Sequence, residues 1–278
     1  MQQDFPFESE YLDTIGSNYG SALNEVDFSS DPASVAEEIN EWVAAQTEDR
    51  ITDLLGPDSL TPDDVLALVN ALYLNASWFD PFDESRTSEE PFALLDGSTT
   101  DVPLMRGFGN TSASGDGWVG ATKAYIGGLE IQFILPDEGR FEDVASRLPA
   151  VFEEYEQRST EGSTLVVPNF ETRINLPLEA ELRALGLTAV FEEGNLLNTA
   201  NDPQLVVGKV LHETFLLIDE EGTEAAAATI ITLTPLSEPA PPEIEPVPVI
   251  LDRPFLYRIV DQQTGATLFI GQIVNPNE

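Results

Sequence analysis

The stretch that most restricts how this chain can fold is QLVVGKVLHETFLLIDEEGTEAAAATIITLTPLSEPAPPEIEP, residues 204–246. Its first half alternates apolar and polar side chains like one long strand. Read with period 2 from Thr223, the second half puts Thr223, Ala225, Ala227, Thr229, Ile231 and Leu233 on one face and Glu224, Ala226, Ala228, Ile230, Thr232 and Thr234 on the other. That is again a strand, buried on one side, separated from the first only by Gly222. The prolines that follow cannot continue a central ladder. The alanines alone would equally suit a helical turn, but the β-branched residues around them favour extended chain. The segment therefore reads as a strand without a fixed place. Its small side chains lower the steric and desolvation cost of sliding into a closed sheet.

A sheet able to receive such a strand needs a large core, and 278 residues with 42% apolar content can supply one. The run VLALVNALYL (65–74) is almost continuously apolar, as expected of a strand covered on both faces in the middle of a sheet. Before it, DPASVAEEINEWVAAQ (31–46) predicts an amphipathic helix with Asp31 as cap, Pro32 in the first turn and Val35, Ile39, Trp42 and Val43 on one stripe. Short strands are expected through DVPLM and LEIQFILPDEG, a helix over 142–157, a strand in STLVVPNFET, and a helix in PLEAELRALG ended by Gly186. A hairpin turning near Thr264 and Gly265 closes the chain. There is no internal repeat, and one mixed domain over 1–278 is the economical expectation.

Charge removes several function classes. Fifty acids against 12 Lys and Arg give a formal charge of -38, with only two lysines, Lys123 and Lys209. Phosphate recognition needs clustered cations, so nucleic acid is not an expected partner. Acids spread along the whole chain point to a solvated surface suited to a salt-rich, screening medium. No apolar run approaches the roughly 18 residues of a membrane span, and the start MQQDFPFESE lacks a signal-peptide pattern, so a soluble chain is expected. Without cysteine, disulfides and thiolate metal sites are excluded, and one histidine leaves metal chemistry to carboxylates; no metal or cofactor is expected. His212 has no nucleophile-elbow sequence to serve, so it reads as a structural hydrogen-bonder and no catalytic residue is assigned.

DEEGTEAAAAT resembles the reactive-loop hinge of serpins, protease inhibitors that insert a cleaved loop into a large β-sheet. INEWVAAQTEDRITDLL, LVNALYLNASWFDPF, LVVPNF, LRALGLTAVF, KVLHETFLLIDEEGTEA and DRPFLYRIVDQQTGATLFIGQIVNP are similar, in order, to further segments of that family. The resemblance implies an α+β fold with large mixed and antiparallel β-sheets, surrounding helices, and a reactive loop over about residues 220–250 that stays in solvent until it is cut. It implies a hinge made of Glu220, Gly222, Thr223, Glu224, Ala225, Ala226, Ala227, Ala228 and Thr229, and a sheet-opening region at Asn70, Trp78 and His212. Counting from Gly222 as the family does puts the reactive bond between Leu236 and Ser237. A leucine there suits a chymotrypsin-like or subtilisin-like serine protease rather than one needing a cation. The implied protein is a monomeric inhibitor, not an enzyme, and extracellular by resemblance, with a cytoplasmic place left open by the absent signal pattern. Two departures stand out. The helices and strand that serpins carry ahead of this point are absent, so a truncated chain is expected, with a non-inhibitory serpin or an inactive fragment as alternatives. A lysine that pairs with the hinge acid in the family falls at Asn169, leaving Glu220 without that partner.

Overall fold

The computed structural model describes residues 1–19, 24–196, 198–200, 202, 205–207, 209–223 and 247–278. The helices are α1 (Ser9–Tyr19), α2 (Pro32–Gln46), α3 (Phe141–Ser146), α4 (Leu148–Arg158) and α5 (Glu179–Ala184). The strands are β1 (Ala67–Tyr73), β2 (Ala76–Ser77), β3 (Ser88–Ala93), β4 (Thr99–Gly115), β5 (Trp118–Ala124), β6 (Leu129–Pro136), β7 (Thr160–Pro168), β8 (Phe170–Pro177), β9 (Lys209–Ile218), β10 (Gly222–Thr223), β11 (Val247–Ile250), β12 (Phe255–Asp261) and β13 (Thr267–Ile273). They fall into two compact units, Met1–Tyr73 with Arg173–Phe215 and Leu74–Thr172 with Leu216–Glu278.

In the first unit, α2 starts as its sequence dictates. The Asp31 carboxylate accepts from the Ser34 N–H and Pro32 opens the first turn, where its missing N–H costs nothing. The predicted stripe holds in part: Val35, Ala36 and Val43 are buried, but Trp42 is 44% exposed. Trp42 instead lines an apolar groove of about 440 Å³ together with Ile39, Val26, Phe28 and Leu68. The sheet of this unit has the order β1-β9-β8. β1 and β9 run parallel, in register from Ala67–Lys209 to Tyr73–Phe215. The expectation of a doubly covered central strand is corrected here. Among the described residues β1 pairs only with β9, and Leu68 and Asn70 are exposed. An apolar run says that side chains suit burial, not that a neighbour is there to bury them; the outward side of β1 borders the groove.

In the second unit an eight-stranded sheet has the order β11-β7-β4-β5-β6-β12-β13, with β3 also on β4. The short strand expected at DVPLM is the start of the 17-residue β4. Its weakly β-prone continuation, RGFGNTSASG, stays extended because β7 and β5 pair with it on either side. The single helix expected over 142–157 is two, interrupted at Arg147 with Pro149 in the first turn of α4. STLVVPNFET is likewise divided at Asn169, whose N–H donates to Pro103 O, so that β7 and β8 separate. Trp118, Ile134, Val144, Val151, Phe152, Tyr155 and Leu256 form a core between α3, α4 and the sheet. The β12–β13 hairpin turns where predicted, with Gly265 at φ 72°.

Candidate functional site: the hinge and the sheet opening

The hinge lies in the second unit and is built by a turn. After β9, the Asp219 carboxylate accepts from the N–H groups of Glu221 and Gly222, each at 2.9 Å, and the Asp219 N–H donates to Gly222 O. This side-chain turn reverses the chain. The reversed chain is then caught along one edge: Trp78 N donates to Glu221 O, Phe82 N donates to Glu220 O, and β10 pairs antiparallel with β2, Gly222 opposite Ser77 and Thr223 opposite Ala76. A Cβ on Gly222 would lie 2.3 Å from Ala76 O and 2.7 Å from Ser77 Cα. Glycine is there because two backbones touch.

The sequence places Thr223 in solvent until the loop is cut, and the structure corrects this. Thr223 is fully buried, and its hydroxyl lies 2.6 Å from the Tyr125 hydroxyl, which satisfies both groups without water. Tyr125 stacks on Trp78, centroids 4.2 Å apart. Trp78 is itself buried and donates through Nε1 to Asp219 O at 2.9 Å. Burial pushes the Tyr125 phenol well above its ordinary range, with the Thr223 hydrogen bond opposing, so it keeps its proton. Glu220, for which the family's lysine is replaced by Asn169, accepts from the Thr87 hydroxyl at 2.6 Å.

Beneath this lies an unforeseen charge. Lys123 is 1% exposed, with Nζ 4.3 Å from the Phe82 ring centroid and 5.6 Å from that of Trp78, donating to Phe108 O at 3.1 Å. Burial pulls its amine down to about 8, against the opposing charge of Asp80.

The first unit brings Asn70 and His212 together. They face each other across the β1–β9 ladder, with Asn70 Nδ2 2.9 Å from His212 Nδ1. With the amide donating, the ring proton sits on Nε2. Of the predicted site, then, Trp78 gathers with Glu220, Gly222 and Thr223, and Asn70 with His212. Glu224, Ala225, Ala226, Ala227, Ala228, Thr229, Leu236 and Ser237 lie outside the described residues. Val247–Ile250, expected within the loop, is a strand parallel to β7. Sequence reasoning missed Asp219, Thr87, Tyr125 and Lys123. Only Lys123 carried a signal, as a rare cation within the largely apolar WVGATKAYIGG. Among the described residues no cluster of three or more His, Cys, Asp or Glu is placed to hold a metal, and no helix is long and apolar enough to cross a membrane.

The family model described as Serpin (serine protease inhibitor) matches residues 1–276. An uncharacterized serpin-like protein of Thermococcus kodakarensis is 34% identical over the whole chain, which spans 65% of its length. An alpha-1-antitrypsin-like protein of Tamias sibiricus is 33% identical, the chain spanning 66% of it. Among solved structures, an Arabidopsis serpin in a native stressed conformation superposes with a TM-score of 0.83 at 26% identity, covering 99% of this chain and 74% of that one. The native state of the thermophilic serpin tengpin gives 0.82 at 25%, covering 99% and 71%.

Proposed function

The chain belongs to the serpin family, and from that premise we propose that it inhibits serine proteases as a suicide substrate. The observation that carries the reading is β10. Gly222 and Thr223, the hinge glycine and the first residue of the strand-like segment 223–234, are already laid antiparallel on β2, with Thr223 buried. The target's serine attacks the Leu236 carbonyl; its Oγ–C bond forms, the Leu236–Ser237 bond breaks, and the serine proton leaves with the Ser237 amine. The freed segment then enters a sheet as an added strand. Closing a ladder and burying the inward face releases free energy held back in the uncut chain. The acylated protease is carried along and its site distorted, so the inhibitor is consumed and no cofactor enters.

Leu236 directs the choice of target to chymotrypsin-like or subtilisin-like enzymes with an apolar primary pocket, met by a monomeric inhibitor in the extracellular space. The test is to nick the protein with a limiting amount of subtilisin and follow its melting. Insertion predicts a C-terminal fragment beginning at Ser237 and a large rise in melting temperature. A nicked chain that melts at or below the intact one sinks the insertion reading.

A further inference from the structure

In the second unit a cation is sealed beneath the hinge, and the hinge helps to close the seal. Lys123 stands on β5, a strand paired on both sides, with β4 and with β6, where Lys123 lies opposite Ile131. Its backbone is fixed. The lid over the amine, residues 77–82, has one tied end and one that depends on the hinge. At the tied end Ser77 O accepts from Ile126 N and Phe79 N donates to Ala124 O, which joins the lid to the end of β5. At the other end Phe82 N donates to Glu220 O, and the Trp78 indole donates to Asp219 O. Both acceptors belong to the hinge turn. The Phe82 ring is also the nearer of the two that cover the amine, 4.3 Å from Nζ against 5.6 Å for Trp78. Releasing residues 219–223 therefore frees the ring that keeps water from Lys123.

Each element packed around the amine brings charged or titratable groups. Asp80, exposed on the lid, is the one whose charge acts on Lys123, opposing the desolvation. The others are engaged elsewhere. Glu220 accepts from Thr87, Asp219 from the N–H groups of Glu221 and Gly222, Glu130 of β6 from Gln132 and Gln262, and Arg106 of β4 pairs with Glu90. Tyr125 keeps its proton. Burial holds the amine at about 8 while the hinge is seated, and water reaching it after release restores it toward 10.5. The released form binds more protons, so the seat is weakest below pH 8 and strengthens as pH rises from about 8 to 10.5.

We propose that Lys123 is a proton-operated latch on the hinge: a proton taken up from solvent by its amine loosens residues 219–223 from the lid, and loss of that proton seats them. The latch acts in the uncut chain and stands independently of loop insertion. It links two events that share one barrier, since the ammonium gains water only when Phe82 moves and Phe82 moves only when Glu220 O lets go.

The chain has no cysteine, so Thr223→Cys supplies a single thiol, buried while the hinge is seated and open to a reagent such as DTNB when it is released. Labelling rates are compared with Lys123 and with Lys123→Met at pH 7, 8 and 9 in fixed salt, where the thiol's own titration cancels at each pH. At pH 7 Lys123→Met should label on the order of a hundredfold more slowly, and the ratio should narrow about tenfold by pH 9. Asp80→Asn alters only an exposed side chain and reads the same latch with Lys123 in place. It should speed labelling severalfold beside Lys123 and leave it unchanged beside Lys123→Met. Val151→Cys, placed in the α4 core, reports unfolding of the whole unit and should label far more slowly than Thr223→Cys. A rate ratio indifferent to pH overturns the latch, as do equal effects of Asp80→Asn in both backgrounds. Labelling of Val151→Cys as fast as Thr223→Cys overturns it too, because the hinge would then open only with the fold.

Discussion

Replacing Lys123 by methionine should stabilise the protein near neutral pH and erase part of its pH dependence. The lysine is 1% exposed, donates a hydrogen bond to Phe108 O and lies beside the rings of Trp78 and Phe82, with the charge of Asp80 offsetting part of its desolvation. Burial lowers its pKa from 10.5 to about 8. At about 1.4 kcal/mol per pH unit, the folded state therefore carries a penalty of roughly 3 kcal/mol for the buried charge. Because the folded pKa lies below the unfolded one, the penalty is fully present below pH 8 and disappears as pH rises from about 8 to 10.5, so stability rises across that window. Methionine, similar in length and without charge, removes the penalty at every pH. Urea unfolding of parent and Lys123→Met at pH 7, 8, 9 and 10 in fixed 1 M salt measures the difference while cancelling all other titrations. The variant's advantage should narrow by about 2–3 kcal/mol between pH 7 and 10. Parallel curves would show that the amine is not desolvated as its surroundings imply.

Thr223→Val leaves the buried Tyr125 hydroxyl without its partner and should cost about 1–3 kcal/mol in the uncut protein, read as a fall in melting temperature. Thr223→Arg should be worse still before any cleavage, and an unchanged melting temperature would mean that β10 is not seated in solution. Gly222→Ala drives a methyl into Ala76 O and should detach β10, exposing the Trp78 environment and shifting its fluorescence to longer wavelength; an unshifted spectrum would contradict the close approach. With a net charge of -38, melting temperature should rise as salt goes from 0.1 to 1 M and the Debye length falls from about 10 to about 3 Å, and a flat response would remove the argument from screening.

The elements that alternate cleanly were legible from sequence: α2 with its Asp31 cap, β9, and the closing hairpin at Gly265. The hinge glycine was marked by the small-residue run after it, whereas Asn70 and His212 were grouped by the family resemblance alone and their pairing emerged only from the β1–β9 register. What stayed hidden depends on neighbours. β4 is long because strands on both sides pair with it, against its own composition. Pro149 starts a new helix rather than merely bending one, which periodicity over 142–157 did not separate. β1 carries the apolar run of a central strand yet has one partner among the described residues. Tyr125, Thr87 and Lys123 join the hinge only through folding, since no spacing in the sequence sets a strand at 118–124 beside a turn at 219–222. The burial of Thr223 was misread for the same reason: period 2 assigns a face but not the moment at which that face is covered.

The central claim is that this chain captures a serine protease by inserting its own loop, and denaturing electrophoresis after incubation with chymotrypsin or subtilisin tests it most directly. The account predicts an SDS-resistant band above both proteins, linked through the Leu236 carbonyl and accompanied by a released fragment starting at Ser237. Complete conversion to cleaved chain at every salt concentration, with the protease still active and no higher band, would contradict it.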